Sequence, residues 1–557
     1  MPAELCSPLG FTALAFECFA LDKSAPKFFG FAELISGLAL TLVVWTVADI
    51  RYKFRIDTAF LPIRRLSVVI TIIVGFMALM TDYWRAQQLR VPVGDWLTPE
   101  SWQALLAAAF FFVLALWLWR AFFSPVMFNA INAKKFAIAV EKRLLRGSAN
   151  ELAIVGDELA KSAKRIVKHA VDDSFPDKVS KTSARATWLL LAMASPKFCR
   201  AVVEGSPRLI VSVFNAVRDQ RKHSAEISIF AKNIVAAAIE NRNSFLYHEQ
   251  DYYESGLEGL TRPVTTALCG NPWLVRHIDD LLNPAYSKDK PWDLEQWKAY
   301  FRLVLAAFTS HVGGGAASSK PHSLHLAFRK IGSFYADLRH DLQLDDLKYG
   351  DDLDARLREV AKLINSMVAI LDQQRDAGKR RVEHALQDIA ELIFSLIKAA
   401  SSVRKPRRVS RKIQHTLIWQ EILNSAELRT PTGLTIHALV QAKLMASIRS
   451  IPNLDSARLL GYSLNVLGFE PPKPDEPYGS PWRNFHIDCI DWVQRNIARL
   501  LTQHRRLASE CFVEGMSFDN QHNRLVICYP ADEFGEVTPD YLDVDPAPEP
   551  KPQGNPA

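Results

Sequence analysis

The chain has 557 residues and a formal net charge of +7, and 49% of its residues are hydrophobic. This length has room for three or four ordinary domains. The apolar residues concentrate in the first 125 positions, which excludes a wholly soluble, wholly disordered or collagen-like protein. Seven cysteines are spread over the whole length without a C-x-x-C pair, which argues against a disulfide framework or a zinc site.

Three apolar segments predict transmembrane helices, because a bilayer core of about 30 Å needs about 20 helical residues. They cover residues 28–47, 66–84 and 102–123. We therefore expect a transmembrane region over 28–123, preceded by an extracytoplasmic or interfacial segment over 1–27. The shorter apolar run at 9–21 predicts an interfacial or packing helix.

Basic residues near the predicted spans indicate the orientation of the chain. The loop at 51–65 carries five Lys or Arg residues, and residues 120–146 carry six, whereas the loop after the second span carries two. Basic loops tend to stay cytoplasmic. The sequence thus predicts an N-terminus outside, the bulk of the chain inside, and a location in the cell membrane, or the inner membrane of a bacterium.

Four residues of the spans are candidates for helix packing or for a pore. Ser67, Thr71 and Gly75 are spaced four apart, so they place small side chains on one helix face and let another helix approach closely. Glu33 is an ionisable residue near the outer end of the first span. Two alternatives stay open for Glu33, namely an interfacial structural role and a pore or coupling role.

Apolar positions that recur every three or four residues predict helices over most of 124–530. We expect a helical cytoplasmic domain at 124–312, a linker at 313–321 and a second helical region at 322–530. A β-hairpin is predicted near the end of this region, with the turn-prone DNQHN between its strands. Residues 531–557 hold seven acidic residues and six prolines, a composition typical of a disordered tail.

A seven-residue pattern over 353–400 predicts two helices that bury a narrow seam. Apolar residues keep a 4-3-4-3-4 spacing on both sides of a polar stretch that contains Gly378. One alternative is an antiparallel helical hairpin, and the other is a single long helix that pairs with a partner chain. The sequence favours the hairpin, because Gly costs about 1 kcal/mol inside a helix.

A basic run at 404–412 is a candidate site for anionic lipid or for the acidic tail, with a solvated loop as the alternative. No aromatic residues are interleaved to stack bases, so nucleic acid is not expected as a partner. The basic residues of the run are Arg404, Lys405, Arg407, Arg408, Arg411 and Lys412.

A short stretch after residue 246 holds the candidate catalytic residues. His248, Glu249, Asp251 and Glu254 combine a base with carboxylates, which suits metal-assisted chemistry. The simpler interpretation is a helix end that enters a loop. No nucleotide-binding or protease motif is present in the sequence, and neither a metal nor a cofactor is predicted.

These patterns together favour a multi-pass membrane protein that anchors a cytoplasmic helical domain for binding or sensing a partner. The expected partners are the lipid bilayer, a second copy of the chain, and either a cytoplasmic protein or anionic lipids. The second hypothesis is an ion channel or a membrane-permeabilising effector that the cytoplasmic domain gates. A hydrolase at the membrane face comes third, so an enzyme is not favoured.

Overall fold

The structure is a computed structural model in which contacts divide the chain into two compact units, Met1–Phe230 and Ala231–Ala557. This boundary does not coincide with the linker predicted at 313–321. The described residues are 4–6, 16–20, 27–47, 49–60, 62–93, 98–123, 126–172, 179–249, 262–285, 292–314, 321–341, 352–374, 379–471, 481–528 and 539–546.

Helices dominate the first unit, as the sequence predicts. A helix numbered α10 crosses the boundary between the two units. The elements in chain order are β1 (Glu4–Cys6), β2 (Phe16–Ala20), α1 (Phe31–Val47), α2 (Ile50–Thr58), α3 (Ile63–Ala86), β3 (Arg90–Val93), α4 (Pro99–Leu118) with a π-helical turn (Trp119–Phe123), α5 (Ala133–Arg146), α6 (Ala149–His169), α7 (Lys181–Met193), α8 (Pro196–Gly205), α9 (Pro207–Gln220) and α10 (Ala225–Glu240).

A small antiparallel sheet corrects the prediction for the N-terminal segment. Strand β2 lies between β1 and β3, and Cys18 is opposite both Glu4 and Pro92. The helix predicted over 9–21 is therefore wrong for residues 16–20, while 9–15 lie outside the described residues. The physical reason is that pairing with two strands satisfies backbone groups, whereas an isolated short helix is marginal in water.

Two helices of the described chain are long and apolar enough to cross a bilayer, Arg65–Ala86 and Pro99–Phe123. Helix α1 has 17 residues, about 25 Å at 1.5 Å per residue, so the first predicted span is not confirmed. Helices α7 and α8, bent by 73°, would pass the same test if they formed one segment. The structure thus contains two or three candidate spans by length and composition.

The apolar helices α1, α3 and α4 pack around a small cluster. The cluster consists of Leu34 of α1, Val74 and Ala78 of α3, and Leu106 of α4. A Cβ atom at Gly75 would lie 3.1 Å from Cδ2 of Leu34. The absence of a side chain at this glycine therefore allows α1 to approach α3 closely.

Helix α6 organises the part of the first unit that follows α4. It packs on α8 and α9, and α5 packs on α7. Leu152, Val155, Leu159 and Ile166 form its buried stripe at helical spacing. The hydroxyl of Ser148 accepts a hydrogen bond from the N–H of Glu151 and caps the first turn.

The second unit is also mostly helical and ends in a small sheet. Its elements are α11 (Phe245–His248), α12 (Pro263–Cys269), α13 (Pro272–His277), α14 (Leu294–Gly313), α15 (His322–Asp341), α16 (Asp352–Gln373), α17 (Lys379–Ser401), α18 (Arg407–Arg411) with a π-helical continuation (Lys412–Leu423), a 3-10 turn (Glu427–Arg429), α19 (Pro431–Arg449), α20 (Leu454–Leu467), α21 (Arg483–Gln503), α22 (Arg505–Ala508) with a 3-10 turn (Ser509–Cys511), β4 (Met516–Asp519), β5 (Arg524–Ile527) and β6 (Asp540–Asp543).

The heptad-patterned segment forms two helices, α16 and α17, but they are not the arms of a hairpin that pack mainly on each other. Helix α16 packs on α14 and on the π-helical continuation of α18, and α17 packs on α15, α19 and α20. Ile364 and Ile389 are buried as the pattern predicts, yet Leu363 and Val368 are buried too. Helix α16 therefore buries more than a two-position seam, and it needs neighbours on several sides.

The C-terminal sheet confirms the predicted hairpin and corrects the predicted tail. Strands β4 and β5 are antiparallel, with Phe518 opposite Leu525. Strand β6 adds to β5 and places Leu542 opposite Leu525, so residues 540–543 are ordered. Leu542 and Val544 are buried, and their two-residue spacing is a strand signal that the acidic composition of the tail obscures.

Candidate functional site

Charged side chains meet where the apolar helices of the first unit reach the helices that follow them. Helix α2 supplies Arg55, and this helix occupies part of the basic stretch that the sequence predicts to be a loop. The helix begins after Asp49, whose carboxylate accepts a hydrogen bond from the N–H of Arg51 at 3.4 Å. Phe54 and Ile56 are buried on either side of Arg55, which fixes α2 against its neighbours.

Arg55 forms a buried ion pair with Glu158 of α6. Its Nη2 donates to Oε1 at 2.8 Å and its Nε donates to Oε2 at 3.0 Å. Arg55 is 8% exposed and Glu158 is 4% exposed. Two parallel hydrogen bonds fix direction as well as distance. The pair therefore holds α2 against α6, 103 residues further along the chain.

The same guanidinium also binds the end of α4. Arg55 Nη1 donates to the carbonyl oxygen of Ala121 at 2.9 Å and to that of Phe122 at 3.2 Å. These carbonyl groups belong to the π-helical turn, and the last carbonyl groups of a helix lack partners within it. One side chain thus joins α2, α4 and α6. We call Arg55, Glu158 and these two carbonyl groups the junction.

Two further cations approach Glu158. Lys161 Nζ donates to Oε1 at 2.7 Å, and Arg51 Nε lies 3.8 Å from the same oxygen. Burial by itself raises the pKa of Glu158, but the hydrogen bonds from Arg55 and Lys161 outweigh burial and hold this pKa below its usual value. The hydrogen bond to Glu158 raises the pKa of Arg55 against the effect of burial. Both groups are therefore charged at neutral pH.

Aromatic rings pack on the helix that carries Arg55. The ring centroids of Tyr52 and Phe122 are 4.3 Å apart, and those of Phe54 and Phe136 are 5.7 Å apart. The guanidinium carbon of Arg55 lies 5.7 Å from the ring centroid of Tyr52, an arrangement that stabilises a cation. Aromatic contacts thus join α2 to α5 and to the π-helical turn after α4, and one ring lies beside Arg55.

The chemistry of the junction is that of a structural clamp, because its acid and its base are paired with each other. No group of three or more His, Cys, Asp or Glu side chains suited to a metal ion occurs in the described part of the chain. No protein family, curated protein or solved structure matches the chain. The role of the junction must therefore follow from its own geometry.

Glu33, the candidate pore residue, closes the first turn of α1. Its Oε2 accepts a hydrogen bond from the N–H of Gly30 at 2.9 Å, which is the local contact a capping glutamate makes. Nearby, Asp82 accepts a hydrogen bond from the N–H of Phe31 at 3.0 Å and pairs with Lys27 at 3.1 Å. These contacts favour the structural alternative for Glu33 over a coupling role.

The small residues of the second predicted span have two different surroundings, because two of them line a cavity and one lies in a helix–helix contact. Ser67 and Thr71 line a cavity of about 300 Å³ between α1, α3 and α4, whereas Gly75 lies against Leu34. Among the described residues, no charged side chain lines the cavity. Its other lining residues are Leu38, Leu42, Val68, Ile72, Phe110, Val113, Leu114 and Trp117.

The candidate catalytic residues at the end of α11 do not form a common site in the described chain. His248 is exposed, whereas Glu249 is buried. Glu249 Oε1 accepts hydrogen bonds from the N–H groups of Val264 at 2.7 Å and Thr265 at 3.2 Å, at the start of α12. Burial raises the pKa of Glu249, although these hydrogen bonds oppose the shift. The remaining two candidates, which lie outside the described residues, are Asp251 and Glu254.

At least three residues from the predicted basic run make contacts inside the second unit. Arg404 pairs with Glu510 at 2.7 Å, Lys412 pairs with Asp354 at 3.2 Å, and Arg407 donates to a backbone carbonyl group. The surface left for anionic lipid or for the tail is therefore smaller than the sequence suggests. The basic residues of the run with exposed side chains are Lys405, Arg408 and Arg411.

The junction is the site that sequence reasoning misses. The sequence shows Arg55 only as one of five basic residues in a predicted loop, and Glu158 only as part of a predicted helix. A signal exists, because Glu158 follows Val155 by three residues and so falls on the apolar stripe of α6. A carboxylate at such a position needs a buried partner.

Proposed function

We propose that the protein is an integral membrane protein whose apolar helices anchor a cytoplasmic helical region that binds or senses a partner. The observation that carries the proposal is the junction, where one buried guanidinium joins the end of α4 to α6. Separating a buried ion pair leaves uncompensated charge in a medium of low dielectric constant. The anchor and the helices around α6 are therefore expected to move together.

The proposed anchor comprises α1, α3 and α4. Helix α1 has 17 residues, which is the lower limit for a span of about 17–25 residues. Contiguous apolar surface of this extent is rare on soluble monomers, and the hydrocarbon core of a bilayer would cover it. The exposed large apolar residues of α3 and α4 with its π-helical turn include Val68, Val69, Ile72, Ile73, Phe76, Leu79, Leu105, Phe111, Phe112, Trp119 and Phe123.

The opposite directions of α3 and α4 support the proposed topology. Ala59, just before α3, packs with Trp117 and Ala121 at the end of α4. At the opposite end, Trp102 near the start of α4 donates to the hydroxyl of Thr81 near the end of α3, at 3.1 Å. The basic residues of α2 lie at the junction end, so we propose that this end faces the cytoplasm.

The channel hypothesis receives less support. Among the described residues, the cavity between the apolar helices is lined by apolar side chains, apart from Ser67, Thr71 and the indole of Trp117. An ion pathway needs polar or charged groups that replace hydration. Glu33 is engaged with the backbone of Gly30. The proposal therefore assigns the apolar helices to anchoring rather than to conduction.

Membrane extraction and cysteine labelling test the anchor. The full-length protein should stay in the membrane pellet after alkaline carbonate treatment. In a background without Cys6, Cys18 and Cys528, an impermeant maleimide should label Leu89→Cys in intact cells, and Phe60→Cys only after permeabilisation. Release by carbonate would refute the anchor, and the reverse labelling preference would refute the orientation.

Distance measurement by pulsed electron paramagnetic resonance tests the coupling. Spin labels at Ile72 of α3 and Arg165 of α6, both exposed, should give a narrow distance distribution in lipid nanodiscs. Arg55→Gln should broaden this distribution, whereas the matched control Arg51→Gln should not. An unchanged distribution in Arg55→Gln would show that the junction does not couple the anchor to α6.

A further inference from the structure

Helix α5 exposes an apolar stripe shortly after the last apolar helix. Ile138 and Leu145 are seven residues apart, so they lie on one side of the helix two turns from each other. Ile131 lies in the turn that precedes the helix. Ile131, Ile138 and Leu145 are 69%, 53% and 74% exposed. Phe136 and Val140, on the opposite side, are fully buried. The helix thus has one apolar side in the core and another that the described residues of the first unit leave exposed.

Basic residues flank this stripe. The acidic residue Glu141 is also exposed on this side of the helix. An aliphatic stripe between lysines and arginines is typical of helices that lie in the headgroup region of a membrane. We call the exposed apolar and basic side chains together the α5 face, which consists of Ile131, Lys134, Lys135, Ile138, Lys142, Leu145 and Arg146.

Contacts hold α5 at the end of the apolar helices that lies next to the junction. Lys135 Nζ donates to the carbonyl oxygen of Phe60, three residues before α3, at 2.8 Å. Arg143 Nη2 lies 3.8 Å from the carboxylate of Asp57 in α2. The α5 face therefore lies beside the point where α3 begins, which is the level of the lipid headgroups if α3 spans the bilayer.

We infer that the α5 face binds the anionic headgroup layer of the leaflet from which α3 and α4 emerge. This inference rests on the proposed membrane anchor. The aliphatic stripe enters the boundary between headgroups and acyl chains, and the flanking cations lie against lipid phosphate groups. Anionic lipid then fixes the height and tilt of the helices that pack on α5, so the lipid composition of the leaflet controls how the helical region is presented.

Fluorescence quenching in nanodiscs tests the inference on the full-length protein. An environment-sensitive fluorophore at Leu145→Cys should be quenched by brominated lipid in nanodiscs that contain phosphatidylglycerol, and less in nanodiscs of phosphatidylcholine alone. Lys134→Gln with Lys142→Gln should lower the ratio of bound to unbound α5 face about 25-fold, because each basic residue at an anionic surface contributes about fivefold. Lys134→Arg with Lys142→Arg should keep the quenching.

A second labelled position separates failure of this inference from failure of the anchor. A fluorophore at Ile72→Cys in α3 should be quenched in both kinds of nanodisc. Quenching at Ile72 without quenching at Leu145 would overturn the α5 inference alone. Absence of quenching at Ile72 would overturn the anchor and with it the inference. If quenching at Leu145 changes neither with lipid charge nor with the glutamine substitutions, the role of anionic lipid would be overturned.

Discussion

Arg55 and Glu158 are joined by two hydrogen bonds of 2.8 and 3.0 Å although 103 residues separate them in the chain. Neither side chain has appreciable contact with water, and Arg55 also supplies the hydrogen bonds that the end of α4 needs. The positions of α2, α6 and the end of α4, which are far apart in sequence, therefore depend on this one pair. The first unit should therefore be unusually sensitive to substitution at these two positions.

Arg55→Ala should lower the free energy of unfolding of the first unit by about 3–5 kcal/mol, because it leaves Glu158 buried without its main partner. Arg51→Ala removes a more exposed cation 3.8 Å from Glu158 and should cost less than about 1 kcal/mol. Arg55→Met combined with Glu158→Leu should recover part of the loss, since no buried charge is left unpaired. Denaturation of the detergent-solubilised protein, followed by circular dichroism, measures these differences, and equal losses in the two alanine variants would contradict the prediction.

Glu249→Ala should lower the free energy of unfolding of the second unit by about 1–3 kcal/mol, because two buried N–H groups at the start of α12 lose their acceptor. His248→Ala is the matched control, since its side chain is exposed and its effect should stay within about 0.5 kcal/mol. Urea denaturation of the two variants distinguishes a helix cap from an acid–base pair. A loss in His248→Ala as large as that in Glu249→Ala would argue against the cap.

Arg404→Gln and Arg408→Gln remove the same charge from the basic run and should differ in stability. Arg404 donates to the carboxylate of Glu510 and to the carbonyl oxygen of Ser509 at 2.7 Å each, so its loss should cost about 1–3 kcal/mol. Arg408 is exposed, and its substitution should leave the melting temperature unchanged. Thermal denaturation of the two proteins provides the comparison, and equal melting temperatures would mean that the Arg404 contacts contribute nothing.

His437 should make the second unit sensitive to acid. Its ring is buried and packs edge-on against Trp482, with centroids 5.4 Å apart, and burial lowers its pKa from 6.5 to about 4. The unfolded chain takes up a proton at this residue near pH 6.5, whereas the folded chain does so only near pH 4. Lowering the pH through this window therefore favours unfolding, by up to about 3 kcal/mol in total.

His437→Phe removes this titration and should flatten the pH dependence of unfolding by up to about 1.4 kcal/mol per pH unit between pH 4 and 6.5. Burial also lowers the pKa values of His415 and His486, so a residual slope should persist in the variant. Urea denaturation at a series of pH values gives both curves. Identical slopes for the two proteins would show that His437 is already protonated in the folded state.

Local signals explain which elements the sequence predicts well. The bounds of α3 and of α4 with its π-helical turn agree with the predicted spans within three residues, because a long apolar run specifies a helix by itself. Helix α2 has nine residues, and so short a helix depends on tertiary contacts such as that of Phe54 with Phe136. Strand β6 likewise depends on a tertiary contact, because Leu542 has Leu525 of β5 as its cross-strand partner. The local sequence alone does not show this partner.

The same distinction applies to the candidate sites. Glu33 and Gly30 are three residues apart, and this spacing can be recognised in a sequence as a capping contact. The pairing of Arg55 with Glu158 depends on which faces of α2 and α6 meet. The spacing of apolar residues along one helix does not specify which other helix packs against it. The sequence shows only that a carboxylate on an apolar stripe needs a cation, and it offers 67 Lys and Arg residues as partners.

The separation of Arg55 from Glu158 has a consequence for biosynthesis. At about 5–20 residues per second, Arg55 leaves the ribosome about 5–20 s before Glu158. During that interval Arg55 and its neighbours Arg51 and Lys53 are unpaired cations between two apolar segments, the state in which basic residues retain a loop on the cytoplasmic side. Under the proposed topology Arg55 therefore acts twice. It first directs insertion while its charge is unpaired. The buried ion pair with Glu158 forms only after the orientation of the helices has been set.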